Sequence, residues 1–256
     1  MRLEKKVALI TGASSGIGAG IAERFSKEGA LVAVNYRPDS PKDRDAAELA
    51  VKSYKASAIA VEADVSKRDQ VEAMIARVVK ELGRIDICVN NAGIEIKHDF
   101  LETTDAEWNR VLSVNLYGSF VVSQVAARAM VKQGNGGRLI YISSVHEDIP
   151  FPGFTSYCAS KGAIRMMMRN VAMELATHGI TVNNIAPGAI ATPINKAVLD
   201  NPTAYHNAVG EIPLGRFGTP DDVASVAVFL ASDDAAYVTA STYYVDGGMT
   251  QQVTLY

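Results

Sequence analysis

The chain is poor in the residues that build disulfide frameworks and metal centres. It has two cysteines in 256 residues, Cys88 and Cys158, which excludes a disulfide scaffold. Its four histidines, His98, His146, His178 and His206, are scattered without metal-ligand spacing, so no metal site is expected. No apolar run approaches the roughly 18 residues that a membrane span needs, and no membrane partner is expected. The opening Met-Arg-Leu-Glu-Lys-Lys is followed by four apolar residues, 7–10, and then by polar residues and glycines. That is not a signal-peptide pattern, and the expected location is cytoplasmic. Neither charge is in large excess: 25 basic against 28 acidic side chains leave a net −3. Without a basic face to neutralise phosphates, nucleic acid is not an expected partner. Apolar residues make up 48% and charged residues 21%, which excludes a disordered chain. A chain this long can bury about three quarters of its unfolded surface.

No linker, low-complexity stretch or fixed-period repeat divides the sequence, so one domain over 1–256 is the simplest reading. What recurs is a short apolar run followed by a helical pattern. The runs are 7–10, 31–35, 58–62, 85–90, 138–143, 180–185 and 242–245. Several are continuously apolar, as parallel strands covered on both faces must be. Between them, Val71, Met74, Ile75, Val78, Val79 and Leu82 mark one helix face at i, i+3, i+4, i+7, i+8 and i+11, with Ser66 and Asp69 as its start signal. Thr104 and Glu107 form a capping-box pair. Thr219-Pro220-Asp221-Asp222 places a cap, a first-turn proline and acids ahead of another helix. Long helical patterns cover 108–131 and 159–175. Such alternation predicts an α/β doubly wound, seven-stranded parallel sheet of the Rossmann type, with helices on both faces. Ligands of such sheets sit at the carboxyl ends of the strands. Cys88, inside an apolar run, and Cys158 read as packing residues.

Directly after the first strand comes Thr11-Gly12-Ala13-Ser14-Ser15-Gly16-Ile17-Gly18, opening a helix. A turn this tight needs glycine where φ is positive and where a pyrophosphate approaches the backbone. The spacing G-x-x-x-G-x-G departs from the common dinucleotide fingerprint and also fits a plain β–α turn. At the end of strand two stands Asn35-Tyr36-Arg37, with no acid before Asp39. A carboxylate there would hold the ribose of NAD, whereas Arg37 matches a 2′-phosphate. NADP is therefore favoured over NAD, dual use remaining open, as does the reading of Arg37 as a solvated loop residue.

Tyr157 and Lys161 are four residues apart in a helical segment and share one face. A tyrosine ordinarily titrates near 10; a neighbouring ammonium favours its phenolate. Ile142-Ser143-Ser144 puts a hydroxyl at the end of strand five, and Asn90-Asn91-Ala92-Gly93 a small-residue turn at the end of strand four. Asn115 is a polar residue inside a helical apolar pattern, where it costs helix propensity.

The combination of T-G-A-S-S-G-I-G, N-N-A-G, Ser144, Y-C-A-S-K and Pro187-Gly188 closely resembles the short-chain dehydrogenases/reductases over the whole chain. The resemblance implies that Tyr157 is the general acid–base and that Lys161 lowers its pKa and holds the nicotinamide ribose. It further implies that Ser144 bonds the substrate oxygen and that Asn115 supports a water-mediated proton relay. The cofactor would be held by Gly12, Ser14, Ser15, Gly16, Ile17 and Gly18 at the pyrophosphate and by Tyr36 and Arg37 after strand two. Asp64 and Val65 would flank the adenine, and Asn90, Asn91, Ala92 and Gly93 the ribose. Pro187, Gly188, Ile190 and Thr192 would hold the nicotinamide, with Tyr157 and Lys161 completing the site. The family's basic residue before the second glycine is Ser15 here, so the case for NADP rests on Arg37.

Variable segments also match one branch of that family, the glucose 1-dehydrogenases. These are Gly93-Ile94-Glu95, the run from Ser144 to Pro150, the run from Gly188 to Asn195, and Asp246-Gly247-Gly248-Met249-Thr250-Gln251. Oxidation of glucose at C1 is the expected activity. Glu95, His146 and Asn195, with Ser144 and Tyr157, are the candidate substrate residues. A 3-oxoacyl-thioester reductase shares the same catalytic residues and is the alternative, while a regulator without chemistry would lack the tyrosine or the lysine. The resemblance implies a homotetramer, and closure of the site by residues 253–256 is left open.

Overall fold

The structure, a computed structural model, describes residues 1–252; residues 253–256 lie outside the described residues. Seven strands form one parallel sheet: β1 (Val7–Ile10), β2 (Leu31–Tyr36), β3 (Ala58–Glu62), β4 (Ile87–Asn90), β5 (Gly137–Ile142), β6 (Ile180–Pro187) and β7 (Thr242–Val245). Their order is β3-β2-β1-β4-β5-β6-β7, with Ala8 opposite Val32 on one side and Ile87 on the other. The helices are α1 (Gly16–Lys27), α2 (Pro41–Ser53), α3 (Arg68–Leu82), α4 (Asp105–Leu112), α5 (Gly118–Gln133), α6 (Thr155–Leu175), α7 (Lys196–Leu199), α8 (Pro202–Gly210) and α9 (Pro220–Ala231). The doubly wound sheet expected from the alternation is present. None of the described helices is long and apolar enough to cross a membrane.

The continuous apolar character of the strands has a direct cause. Side chains alternate across a strand, so Val7 and Leu9 enter the core beneath α3, α5 and α6, while Ala8 and Ile10 enter the core beneath α1 and α9. Both faces are sealed, and a polar residue at either would be buried without a partner. α9 starts with the predicted cap: Asp222 N donates to Thr219 Oγ1, Thr219 N donates to Asp222 Oδ2, and Pro220 takes the first position. α1 packs against α9 closely enough that a Cβ on Gly20 would come within 2.5 Å of Pro220.

Several boundaries differ from the sequence reading. β4 starts two residues late because Ile85 N is taken by Gln133 Oε1 and the Asp86 carboxylate by Val7 N. β6 runs two residues further because β7 pairs Ala186 with Tyr244 and Pro187 with Val245. Ser66 does not cap α3, since its hydroxyl is spent on Asp64 Oδ1; Lys67 occupies the cap without a side-chain bond. The long helix expected over 108–131 is interrupted by a π turn, Ser113–Tyr117, between α4 and α5. Asn115 sits in that turn.

The winding of the sheet reverses between β1 and β4, since β2 and β3 are added on one side of β1 and β5, β6 and β7 beyond β4 on the other. The loops that follow β1 and β4 therefore diverge and open a crevice at the carboxyl edge of the sheet.

Candidate active site

The loop after β1 lines one end of this crevice. Gly12 and Gly16 both have φ +59°, and a Cβ on Gly12 would stand 2.9 Å from Ala92 Cα. Only glycine meets both demands. Gly18 is excluded from carrying a side chain by Asn91 Nδ2 at 2.5 Å and Gly12 O at 2.6 Å. The turn is braced from neighbouring strands. Gly12 N donates to Asn35 Oδ1, Asn91 Nδ2 donates to the carbonyls of Thr11 and Gly12, and Asn91 N and Ala92 N donate to Thr11 Oγ1. At the start of α1, Ser15 makes no side-chain cap and no acid stands in the first turn. Its leading N–H groups therefore face the crevice with the positive end of the helix dipole, the setting an anionic pyrophosphate requires.

The crevice encloses about 940 Å³, ample for a dinucleotide with a substrate beside it. Ser14, Ser15, Ile17, Tyr36, Arg37, Asp64, Val65, Asn91, Ala92, Gly93, Pro187, Gly188, Ile190 and Thr192 all line it, with Gly12 and Gly16. These residues fit an extended dinucleotide. Two of the expected cofactor residues stand elsewhere. Asn90 is buried, its amide donating to Ser123 Oγ at 3.0 Å, so it ties β4 to α5. Gly18 lies behind the loop and serves its packing.

The catalytic candidates converge at the opposite end of the crevice. Ser144 follows β5, and its hydroxyl accepts from His146 N. Tyr157 and Lys161 lie on α6, with Lys161 Nζ 5.4 Å from the Tyr157 ring centre and donating to Ile142 O at 2.9 Å. Burial pushes the Tyr157 phenol up to about 12, Ser144 beside it pulls the other way, and Glu95 raises it further. The phenol is thus raised, not lowered as the lysine alone would suggest: desolvation of the phenolate exceeds the opposing bond with Ser144. Burial also pushes Lys161 down to about 8, against the opposing pull of Glu147 and Glu95.

Asn115 is fully buried, and its hydrogen bonds go to residues other than Lys161. Its Oδ1 accepts from Ile94 N at 2.8 Å, and its Nδ2 donates to Ile94 O and Ser160 Oγ. It locks the loop after β4 onto α6. Gly93 brings the two together: a Cβ there would lie 3.4 Å from Asn115 Oδ1 and 3.6 Å from Lys161 Nζ.

Around the substrate end stand Ile94, Glu95, His146, Ile149, Phe151, Ile194, Asn195 and Val198. Burial raises the Glu95 carboxyl, with Lys161 opposing. His146 stacks on Phe151 at 4.2 Å, and Phe151 on Phe154 at 4.1 Å. Its Nδ1 lies 3.3 Å from Ile149 O, so Nδ1 carries the proton and Nε2 is an acceptor. Burial lowers the His146 pKa and keeps the ring neutral. Asn195 donates its amide to Ile190 O at 2.8 Å, leaving its Oδ1 for a ligand. Arg110, Glu211, Phe217 and Met249 also reach the crevice. Arg110, Glu211 and Phe217 come from segments without a local motif, and Met249 from the matched run 246–251 in which no residue was assigned to the site; sequence reasoning missed all of them.

A glycine turn at the switch point of a doubly wound sheet, with serine, tyrosine and lysine gathered at the strand ends, defines a dinucleotide-dependent dehydrogenase or reductase. The comparisons with known proteins narrow the class. A family profile described as Enoyl-(Acyl carrier protein) reductase matches residues 12–250. The chain is 44% identical over 248 residues to 3beta-hydroxysteroid dehydrogenase 1 of Eggerthella lenta, covering 97% of this chain and 95% of that protein. It is 41% identical over 249 residues to Glucose 1-dehydrogenase 2 of Bacillus subtilis, covering 97% and 96%. A gluconate 5-dehydrogenase from Burkholderia cenocepacia, solved with NADP and tartrate, superposes with a TM-score of 0.91 at 35% identity, over 98% of each chain. The chain belongs to the short-chain dehydrogenase/reductase family.

Proposed function

We propose that the chain oxidises the C1 hydroxyl of β-D-glucose, or of a related aldose, to the 1,5-lactone, with Tyr157 as general acid–base. The observation that carries this reading is the meeting of two acceptors, the Glu95 carboxyl and His146 Nε2, with Ser144 and Tyr157 at one end of the crevice. Such a set suits a ligand rich in hydroxyl donors, and leaves buried groups unpaired against one that lacks them. A bound nicotinamide supplies the hydride acceptor and, when oxidised, a positive charge beside the phenol. Ser144 holds the substrate oxygen. Tyr157, as phenolate, takes the hydroxyl proton from that oxygen, and Lys161 supplies the positive charge that stabilises the phenolate. In the reverse direction the neutral phenol, favoured by burial, gives the proton back.

A second reading is favoured by the apolar wall of Ile94, Ile149, Phe151, Ile194, Val198 and Phe217, which suits a larger ring alcohol such as a hydroxysteroid. Absorbance at 340 nm separates the readings. Reduction of NADP+ or NAD+ by glucose supports the first, reduction by a 3β-hydroxysteroid alone supports the second, and NADPH oxidation by an acetoacetyl thioester alone would support a thioester reductase.

For the cofactor, we favour NADP with dual use. Arg37 is half-exposed at the crevice, and its Nε lies 3.7 Å from Asp39 and 3.6 Å from Asp43. A guanidinium at this position suits a 2′-phosphate, while the two acids temper the preference. For assembly, we propose a homotetramer. Met166 and Met173 are 63% and 60% exposed on α6, and a hollow of about 410 Å³ between α5 and α6 is lined by Phe120, Val131, Met167, Val171 and Leu175. A second copy would cover this apolar face.

A further inference from the structure

Glu147 is a buried carboxylate that the reaction described above does not use. Its side chain is 0% exposed, a costly location for a charge unless several partners fix it. Three elements do so. Asn184 on β6 donates its amide to Glu147 Oε2 at 2.7 Å, and the same amide reaches Ser143 Oγ and Thr242 Oγ1. Tyr244 on β7 brings its hydroxyl within 3.4 Å of Glu147 Oε1. Arg165 on α6 brings Nε within 3.4 Å of that same oxygen and pairs with Asp148, which also accepts from Tyr244.

We propose that Glu147 is a positioning residue for Lys161, a fixed buried countercharge that keeps the amine protonated and aimed at the site. The proposal rests on the reading of Tyr157 and Lys161 as the catalytic pair. Three features carry it. Glu147 stands three residues after Ser144, and Lys161 anchors to Ile142 O two residues before it, so both belong to the same end of β5. Lys161 and Arg165 are one turn apart on α6 and so share a face. Within the network two carboxylates, Glu147 and Asp148, meet one guanidinium, which leaves one negative charge for the Lys161 ammonium to balance. The charged and titratable groups facing Lys161 are Glu95 after β4, Glu147 after β5 and Tyr157 on α6 itself; Asn115 of the π turn is uncharged. Arg169, a further turn along α6, is exposed and acts on Tyr244. Of the two carboxylates, Glu147 exerts the larger pull on Lys161. Glu95 lines the crevice, and its own carboxyl is raised by burial, so its charge changes with pH and with substrate. Glu147 is buried and stands outside the crevice lining.

The test is the titration of Lys161, followed by NMR on full-length protein labelled with [ε-13C]lysine and assigned by the resonance missing in K161M. In E147Q the Lys161 midpoint should fall by about one pH unit, a tenfold change in acid dissociation. In R165M, which frees Glu147 from its competing cation, the midpoint should rise. This second variant keeps the proposal testable if E147Q does not fold. An unchanged midpoint in folded E147Q, or no rise in R165M, overturns the proposal. A midpoint that moves as stated while Y157F stays active would instead sink the catalytic reading and leave the countercharge standing.

Discussion

Replacing Lys161 with methionine should abolish activity and stabilise the protein. The amine is 5% exposed and its pKa falls from an ordinary 10.5 to about 8. At about 1.4 kcal/mol per pH unit, that corresponds to roughly 3 kcal/mol of penalty on the folded state at pH 7. Methionine keeps the apolar stem and removes the charge. It also removes the 2.9 Å bond to Ile142 O, a loss of about 1–2 kcal/mol. The net gain at pH 7 is about 1–2 kcal/mol, or roughly 2–8 °C in Tm for a chain of this size. The pH dependence fixes the sign. A lysine depressed on folding binds its proton less tightly in the folded state, so the unfolded chain carries the extra proton between about 8 and 10.5. The wild type should therefore gain on Lys161→Met as pH rises through that window, and the advantage of the variant should vanish or invert by pH 10. Thermal unfolding by circular dichroism at pH 7 and pH 10 reads both quantities. A variant less stable at pH 7, or an offset identical at both pH values, would refute the assignment of Lys161 as a strained buried cation.

Arg37→Ala should raise KM for NADP+ about tenfold and leave KM for NAD+ within twofold, since one charge-assisted contact is lost; equal effects on both would demote Arg37 to a surface charge. Glu95→Ala and His146→Ala should each cost about 1–3 kcal/mol in kcat/KM for glucose by leaving hydroxyls unpaired, and much less for a simple secondary alcohol. Equal losses on every substrate would make these residues supports of the fold. Light scattering at micromolar concentration should give the mass of four chains of 27.3 kDa; a monomer would contradict the proposed covering of α5 and α6.

Most of the fold was legible because its signals are local. Alternation across two sealed faces forces continuous apolar strands, and Thr219-Pro220-Asp221-Asp222 starts α9 as read. The glycine turn was legible for the same reason, since positive φ at Gly12 and Gly16 depends on the chain's own sterics. The failures share the opposite cause. Asn90 and Asn91 are adjacent and identical, and which of them meets the crevice depends on the strand alternation at the end of β4 and on Ser123 across the core. Asn115 was noticed as misplaced in a helix, but that it would open a π turn and bond Ile94 depends on a loop 21 residues away. Glu147 lies in the run from Ser144 to Pro150, but nothing local marks it as a buried carboxylate, because its partners come from β6, β7 and α6. The Tyr157 phenol illustrates the limit for electrostatics: spacing places the lysine beside it, but only the packed site shows that burial wins.

The central claim is that the Tyr157 hydroxyl moves the proton. Tyr157→Phe removes that one oxygen and leaves the ring and its packing in place. Its kcat, measured at 340 nm on whichever alcohol the wild type turns over, should fall by at least three orders of magnitude, while NADPH binding, followed by fluorescence, should stay within a few-fold of wild type. A variant that keeps wild-type kcat with normal NADPH binding would contradict the account.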